Sequence, residues 1–347
     1  MHSQTLKNNH KKTAVRNGIL IISCLILLIL SSLVSINTGY SKLSFADTLR
    51  ILVGKGSAHE NLILFSFRFP RIVLSMLVGS GLAVSGCLLQ GITKNPLADP
   101  GLLGINSGAG LAVTVFVLFR GGSTSLSILT LPVVALTGAS ASAAIVYFLS
   151  YKKEEGFAPV RMIMTGIAIQ AGLSALTTLM VLKLDDTQYG FVTSWQVGSI
   201  WGANREFVIS LFPWLCVLLP LAFSRARTLD VMGLGEEAAG GLGVAVNKER
   251  KRILFIAVAL AGACVSISGN ISFVGLMAPH LTRRLAGPHH SITLPVCALL
   301  GAILVLTADT IARVVIQPSS LPAGVVVSVI GAPYFIFLLA KKEKNTR

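Results

Sequence analysis

Charge is scarce in this 347-residue chain: Asp, Glu, Lys and Arg supply 12% of it, hydrophobic residues supply 53%, and the mean hydropathy is +0.76. A chain with so few charges cannot cover an ordinary soluble domain with a solvated surface. Paired cysteines are also missing. Cys24, Cys87, Cys216, Cys264 and Cys297 all fall inside apolar runs with no CxxC among them, which argues against a disulfide framework or a zinc site and leaves packing as their role. The histidines, His2, His10, His59, His280, His289 and His290, are scattered, and the adjacent pair at 289 and 290 alone hints at metal; neighbours in sequence seldom converge on one ion without further ligands, so no metal is expected. A Walker A sequence is lacking too. Gly54-Lys55-Gly56 has no Ser or Thr after the lysine, and Leu49 stands where the motif needs its first glycine, so any ATPase must be another polypeptide. Gly233-x-Gly235-x-x-Ala238 imitates a dinucleotide fingerprint, but no strand precedes it.

What is present is a succession of long apolar runs. They are expected to form helices at about 17–36, 70–91, 97–119, 127–150, 159–182, 206–223, 253–269, 272–286, 291–315 and 322–340. This reads as an all-α membrane protein of about ten transmembrane helices, one compact bundle spanning 1–347, rich in Gly, Ala and Ser where helices approach closely. The first run has no charge from Gly18 to Ile36 and no small-x-small site at Ser35-Ile36-Asn37, so a span is preferred over a cleaved leader. A formal net charge of +15 would suggest a nucleic-acid partner in a soluble protein, but its location argues otherwise. Twenty of the 29 Lys and Arg fall on one side: Lys7, Lys11, Lys12, Arg16, Lys94, Lys152, Lys153, Arg161, Arg225, Arg227, Lys248, Arg250, Lys251, Arg252, Arg283, Arg284, Lys341, Lys342, Lys344 and Arg347. The positive-inside rule then puts both termini in the cytoplasm of a cell-membrane protein.

Two connections are long and polar. Asn37 to Phe69 lies outside by that count, and residues 45–52 suit a short amphipathic surface helix. Ser224 to Arg252 lies inside, and its glycine-broken, acidic and apolar pattern from Leu229 to Gly243 suits docking of a partner. Arg68-Phe69-Pro70-Arg71 precedes the second span, where the proline suits a first helical turn and the arginines are expected to face outward, at the entrance or snorkelling to headgroups. Asp309 and Arg313, at i and i+4, share a helix face and are expected to pair. Asn95-Pro96-Leu97-Ala98-Asp99-Pro100-Gly101 is dense in helix breakers and suits a bend buried at the inner end of the bundle. An ion-coupled secondary transporter would want ionisable groups at mid-membrane, and the centres of these runs are nearly free of them. His280 has no companion nucleophile or ligand, which disfavours an intramembrane enzyme.

These residues resemble the FecCD permeases, membrane subunits of type II ABC importers for iron-siderophores, haem and vitamin B12. The resemblance rests on ordered blocks from about residue 60 to 340: Arg68 to Arg71; Gly79 to Gly86 through Gln90; Asn95 to Gly104; Ser107 to Gly110; Trp195 to Gly198 with Trp201 to Ala203; Leu234 to Ala239; Ser272 to His280; Ala308 to Arg313; Leu321 to Gly324; and Gly331 to Pro333. It implies a permease that pairs with a second copy, identical or related, around a translocation path. It implies two ATPase subunits, which use ATP and Mg while this chain binds no cofactor, and an extracytoplasmic or lipid-anchored substrate-binding protein whose acidic residues meet Arg68, Arg71 and Arg313. The ATPase would be met by Leu229, Met232, Gly233, Leu234, Gly235, Glu236, Glu237, Ala238, Ala239 and Gly243. The cargo is a ferric siderophore in transit, with vitamin B12 and haem as alternatives, and no catalytic residue is needed. Thr165, Gly166, Gln170 and Ser174 on the fifth run are the path residues put forward.

Overall fold

The computed structural model describes residues 2–39, 44–120, 130–151, 159–200, 202–316 and 320–344; the expected start of a span at 127, Lys152, Lys153, Trp201 and Arg347 lie outside the described residues. Among the described residues the fold is helical, with no strand. In chain order the helices are α1 (His2–Asn37), α2 (Phe45–Leu52), α3 (Ala58–Asn61), α4 (Phe69–Thr93), α5 (Ile105–Arg120), α6 (Thr130–Ser150), α7 (Pro159–Val181) and α8 (Asp186–Val197). There follow α9 (Arg205–Ser224), α10 (Ala226–Gly233), α11 (Glu236–Gly241), α12 (Val246–Ser268), α13 (Val274–Ala286), α14 (His290–Val315) and α15 (Ala323–Lys344).

Burial sorts these helices into a centre and a periphery. The apolar stretch containing α4 is 78% buried, and α12 and α14 pack against it, whereas the apolar stretch of α1 is 11% buried and leaves Ile19, Ile22, Ile26 and Ile29 exposed. Such a shell of exposed aliphatic side chains is stable in lipid and ruinous in water. Small residues allow the central contacts: a Cβ on Gly79 would collide with the carbonyl of Gly301, and one on Gly301 with that of Gly79, so α4 and α14 touch backbone to backbone. Gly108 and Gly138 do the same for α5 and α6.

Among the described residues seven helices are long and apolar enough to cross a membrane, and 105–119 and 323–337 are shorter apolar helices. The expected span at 272–286 is instead the 13-residue α13, about 20 Å long and too short for a hydrocarbon core of about 30 Å. It starts from an unwound segment in which Gly269 and Phe273 both have positive φ, at +65° and +68°. The 97–119 run likewise begins with a bend, and its helix starts at Ile105. Within that bend Asn95 Oδ1 accepts from Leu97 N–H at 2.9 Å and Asp99 Oδ2 from Gly101 N–H at 2.9 Å, so the carboxamide and carboxylate supply the partners that the interrupted helix no longer does.

The connection between α1 and α4 is mostly helical among the described residues. Ser44 with Asp47, and Ser57 with Glu60, form capping boxes at α2 and α3. Pro70 stands in the first turn of α4, as its position in the sequence suggests, but the helix has no free start: the chain is continuously helical from Ala58 to Thr93, and residues Leu62–Arg68 form a π-helical turn. Pro70 has no N–H to offer the carbonyl of Ser66 and its ring crowds that oxygen, so the preceding turn widens and Phe69 N–H bonds to Leu64 O, five residues back.

Candidate functional site

Three regions carry the polar groups that an apolar bundle would otherwise exclude. The first is a groove of about 320 Å³ between α5, α7 and α8, floored by Asn270 of the unwound segment. Gln170, Ser174, Thr177, Thr178 and Val181 recur on α7 at helical spacing, so one face of α7 fronts the groove. Asn106, Ser107 and Gly110 come from α5, and Tyr189, Thr193, Trp195 and Gln196 from α8. The lining holds no carboxylate, lysine, arginine or histidine. Its amides and hydroxyls are cross-linked: Asn106 Nδ2 donates to Asn270 Oδ1 at 2.6 Å, Gln196 Nε2 to Thr114 Oγ1 at 3.3 Å, and the Ser107 and Ser174 hydroxyls stand 3.4 Å apart. Asn106 Oδ1 and Trp195 Nε1 are buried without a hydrogen-bond partner, a cost that a polar guest or water can relieve. The floor is pinned by glycines: a side chain on Gly269 would strike the Trp195 carbonyl, and one on Gly324 that of Val197. Gly324 N–H also donates to Gly198 O at 2.9 Å, joining α8, the unwound segment and α15.

Of the four path residues read from sequence, Gln170 and Ser174 line this groove and Thr165 and Gly166 do not. Gly166 is a packing residue, pressed against the Leu102 carbonyl. The contributions of α8, Asn106 and Asn270 were missed. The i, i+4, i+8 recurrence of Gln170, Ser174 and Thr178 was a legible signal; α8 was not, because nothing in its composition says which neighbour it packs on.

The second region lies where the N-terminal end of α4 meets the C-terminal end of α14. Asp309, fully buried, receives Arg71 on both oxygens, Nε at 3.0 Å to each and Nη2 at 2.8 Å to Oδ1. The expected pairing with Arg313 is present as an ion pair, Nε to Oδ2 at 3.3 Å, while Arg313 Nη2 donates to Ser35 Oγ at 2.6 Å and Nη1 to Thr38 O at 3.2 Å. Arg68, 6% exposed, donates to the carbonyl of Ile36. The arginines therefore turn inward, where sequence reading had them facing outward. Each guanidinium finds oxygens inside the bundle and α1 closes over them, with side chains of Arg71 and Arg313 left 15% and 10% exposed.

The third region is the α10–α11 segment. Leu229, Met232 and Ala239 are buried against the bundle, whereas Gly233, Leu234, Glu236, Glu237, Ala238 and Gly243 are exposed, with Leu234 and Leu242 at 69% and 65%. Gly235 is half-buried. Positive φ at Gly235 and Gly243, +123° and +83°, lets the chain turn sharply at each end of α11. Two contacts fasten the segment. Arg250 on α12 meets Glu236 at 2.6 Å and holds its carboxyl below the usual carboxylate range. Asp230 accepts from the His290 N–H at 2.8 Å and lies 2.6 Å from His290 Nδ1, capping α14 from a distance. The adjacent histidines thus serve α10 docking. His280 packs by a 2.8 Å hydrogen bond to Tyr334 Oη. Among the described residues no three His, Cys, Asp or Glu side chains group as metal ligands.

A helical membrane bundle with a neutral polar groove, a buried cationic cluster at one end and an exposed two-helix segment at the other is the architecture of a transport permease. The chain belongs to the FecCD transport family, whose pattern matches residues 26–341. It is 45% identical over 335 residues to the iron(3+)-hydroxamate import system permease protein FhuG of Bacillus subtilis, covering 95% of this chain and 99% of that one. The Fe(3+) dicitrate transport system permease protein FecD of Escherichia coli is 38% identical over 287 residues, with 82% and 87% covered. The hemin transport system permease protein HmuU of Yersinia pestis is 37% identical over 322 residues, with 92% and 95% covered. Among solved structures, a metal-chelate type ABC transporter in an inward-facing conformation superposes with a TM-score of 0.83 at 29% identity, covering 93% of this chain and 99% of that one. The protein is a multi-pass membrane permease of the ABC importer class.

Proposed function

We propose that this permease carries a ferric siderophore into the cytoplasm, with energy from a separate pair of ATPase subunits that bind the ATP and Mg. The uncharged, hydrogen-bonding groove supports this reading most directly. A bulky metal chelate presents carbonyls, hydroxyls and delocalised charge, and a lining of Asn, Gln, Ser and Thr accommodates these through many weak contacts without trapping them. Ion coupling would need titratable groups in the same place, and the groove has no carboxylate, lysine, arginine or histidine. Haem is the second reading, favoured by the similarity to a hemin permease, and vitamin B12 the third.

The groove opens sideways through exposed Ser174, Thr178 and Tyr189, and a second permease copy facing it would complete a path. Among the described residues the arginine cluster has one carboxylate for three guanidinium groups, and the field of that +2, reaching past the inward-turned side chains, suits acidic residues of an extracytoplasmic binding protein. Exposed Leu234, Leu242, Glu236 and Glu237 suit a cleft in the ATPase, and the ties to α12 and α14 would pass its closure to the helices as a rigid-body tilt. With this segment inside, both termini are cytoplasmic. The test is uptake of radiolabelled iron from ferric hydroxamate, ferric citrate and haem, beside labelled vitamin B12, in cells with and without the chain. Loss of one ferric-siderophore uptake supports the proposal; loss of haem or vitamin B12 uptake alone overturns the cargo.

A further inference from the structure

Where α6, α9 and α12 meet at the inner end, a recess of about 500 Å³ is lined by Arg225, Lys251, Arg252, Phe255 and Ile256. Among the described residues three cations there share one carboxylate: Glu249 lies 3.1 Å from Arg225 Nη1 and also pairs with Arg252. The formal balance is +2. Arg225 Nε is buried with no hydrogen-bond partner among the described residues. Lys251 Nζ sits 4.6 Å from the centre of the Tyr151 ring, which stacks on Tyr147 at 5.9 Å. One turn further along α12, Phe255 is 72% exposed. Basic and aromatic groups are thus followed, at greater depth, by an apolar wall.

We propose that this recess binds the headgroup of an anionic phospholipid from the cytoplasmic leaflet. The phosphate lies among Arg225, Lys251 and Arg252, and an acyl chain runs along Phe255 and Ile256. Basic pockets between membrane helices on the cytoplasmic side favour such lipids through charge, and the aromatic pair sets the depth. A soluble anion would use the same cations but gain nothing from Phe255. The assignment rests on the cytoplasmic orientation proposed above but not on the cargo, so the two can fail separately.

The test is native mass spectrometry of the purified full chain in detergent with added phosphatidylglycerol or phosphatidylcholine. Wild type is expected to retain phosphatidylglycerol preferentially. Lys251→Gln/Arg252→Gln is expected to lower that retention about twenty-five-fold, a factor of about five for each basic residue. Phosphatidylcholine retention should not change. Phe255→Asp removes no ion pair and is expected to weaken phosphatidylglycerol as well, which serves should the double variant not fold. Arg227→Gln, exposed and outside the recess, is expected to behave as wild type. Equal retention of the two lipids by wild type, or undiminished phosphatidylglycerol in folded variants, would overturn the proposal. So would displacement of the lipid by millimolar inorganic phosphate, which would make this a soluble-anion site.

Discussion

Replacing Asp309 by alanine removes the oxygens to which the Arg71 guanidinium donates and the carboxylate that pairs with Arg313, while leaving both guanidinium groups inside the bundle. Three distances of 2.8–3.0 Å to Arg71 and full burial of the carboxylate make this a hydrogen-bonded pair of low dielectric. Breaking such a pair from one side costs about 3–5 kcal/mol, because the remaining charge loses its partner and cannot regain water. Against a typical total of 5–15 kcal/mol, that loss should be plain in thermal unfolding of the detergent-purified chain. Asp309→Asn keeps one acceptor and should cost less than half as much. Asp309→Leu combined with Arg71→Met removes that pair together and should recover part of the loss, since Arg313 still loses its carboxylate. The reasoning fails if Asp309→Ala unfolds at the same temperature as Asp309→Asn, or if the double substitution is no better than the single one.

Gln170→Leu with Ser174→Val should slow iron uptake severalfold without moving the melting temperature, since both residues front the groove; an unchanged uptake rate would remove α7 from the path. Leu234→Glu with Leu242→Glu should leave the fold intact and abolish uptake by losing the ATPase, measured by co-purification of the ATPase subunits. Gly324→Ala should destabilise the chain by about 1–3 kcal/mol, because its methyl meets the Val197 carbonyl; wild-type unfolding would refute the backbone contact. The Glu236–Arg250 tie lowers the Glu236 pKa, so its contribution is complete above the ordinary carboxylate range and is lost only as pH falls through the lowered value. Because Glu236 is largely exposed, the effect should be small: a shallow acid-side loss of stability, absent in Glu236→Gln.

Much of the fold was legible because lipid makes every spanning segment an uninterrupted apolar helix, a property of consecutive residues. The runs at 17–36, 127–150, 159–182, 206–223 and 291–315 correspond to α1, α6, α7, α9 and α14. The run at 272–286 misled because its apolarity is real but its length is cut by an unwound segment, which the packing of Gly269 on Trp195 imposes from elsewhere in the chain. Pro70 does mark the first turn of α4, but the widened turn that joins it to the helix before it was not legible.

For the site, residue order alone determined the membrane class, the uneven distribution of positive charge, the family blocks and the pairing of Asp309 with Arg313 across one helical turn. Tertiary structure decided the rest. Arg71 reaches Asp309 across 238 positions, Asp230 reaches His290 across 60, and Asn106 meets Asn270 across 164. Such partners are chosen by how helices cross, and crossings depend on which small residues let two backbones touch, so no local pattern announces them. The same cause turned the arginines inward: their charge is written in the sequence, but the closing of α1 and α14 around them is a property of the packed bundle.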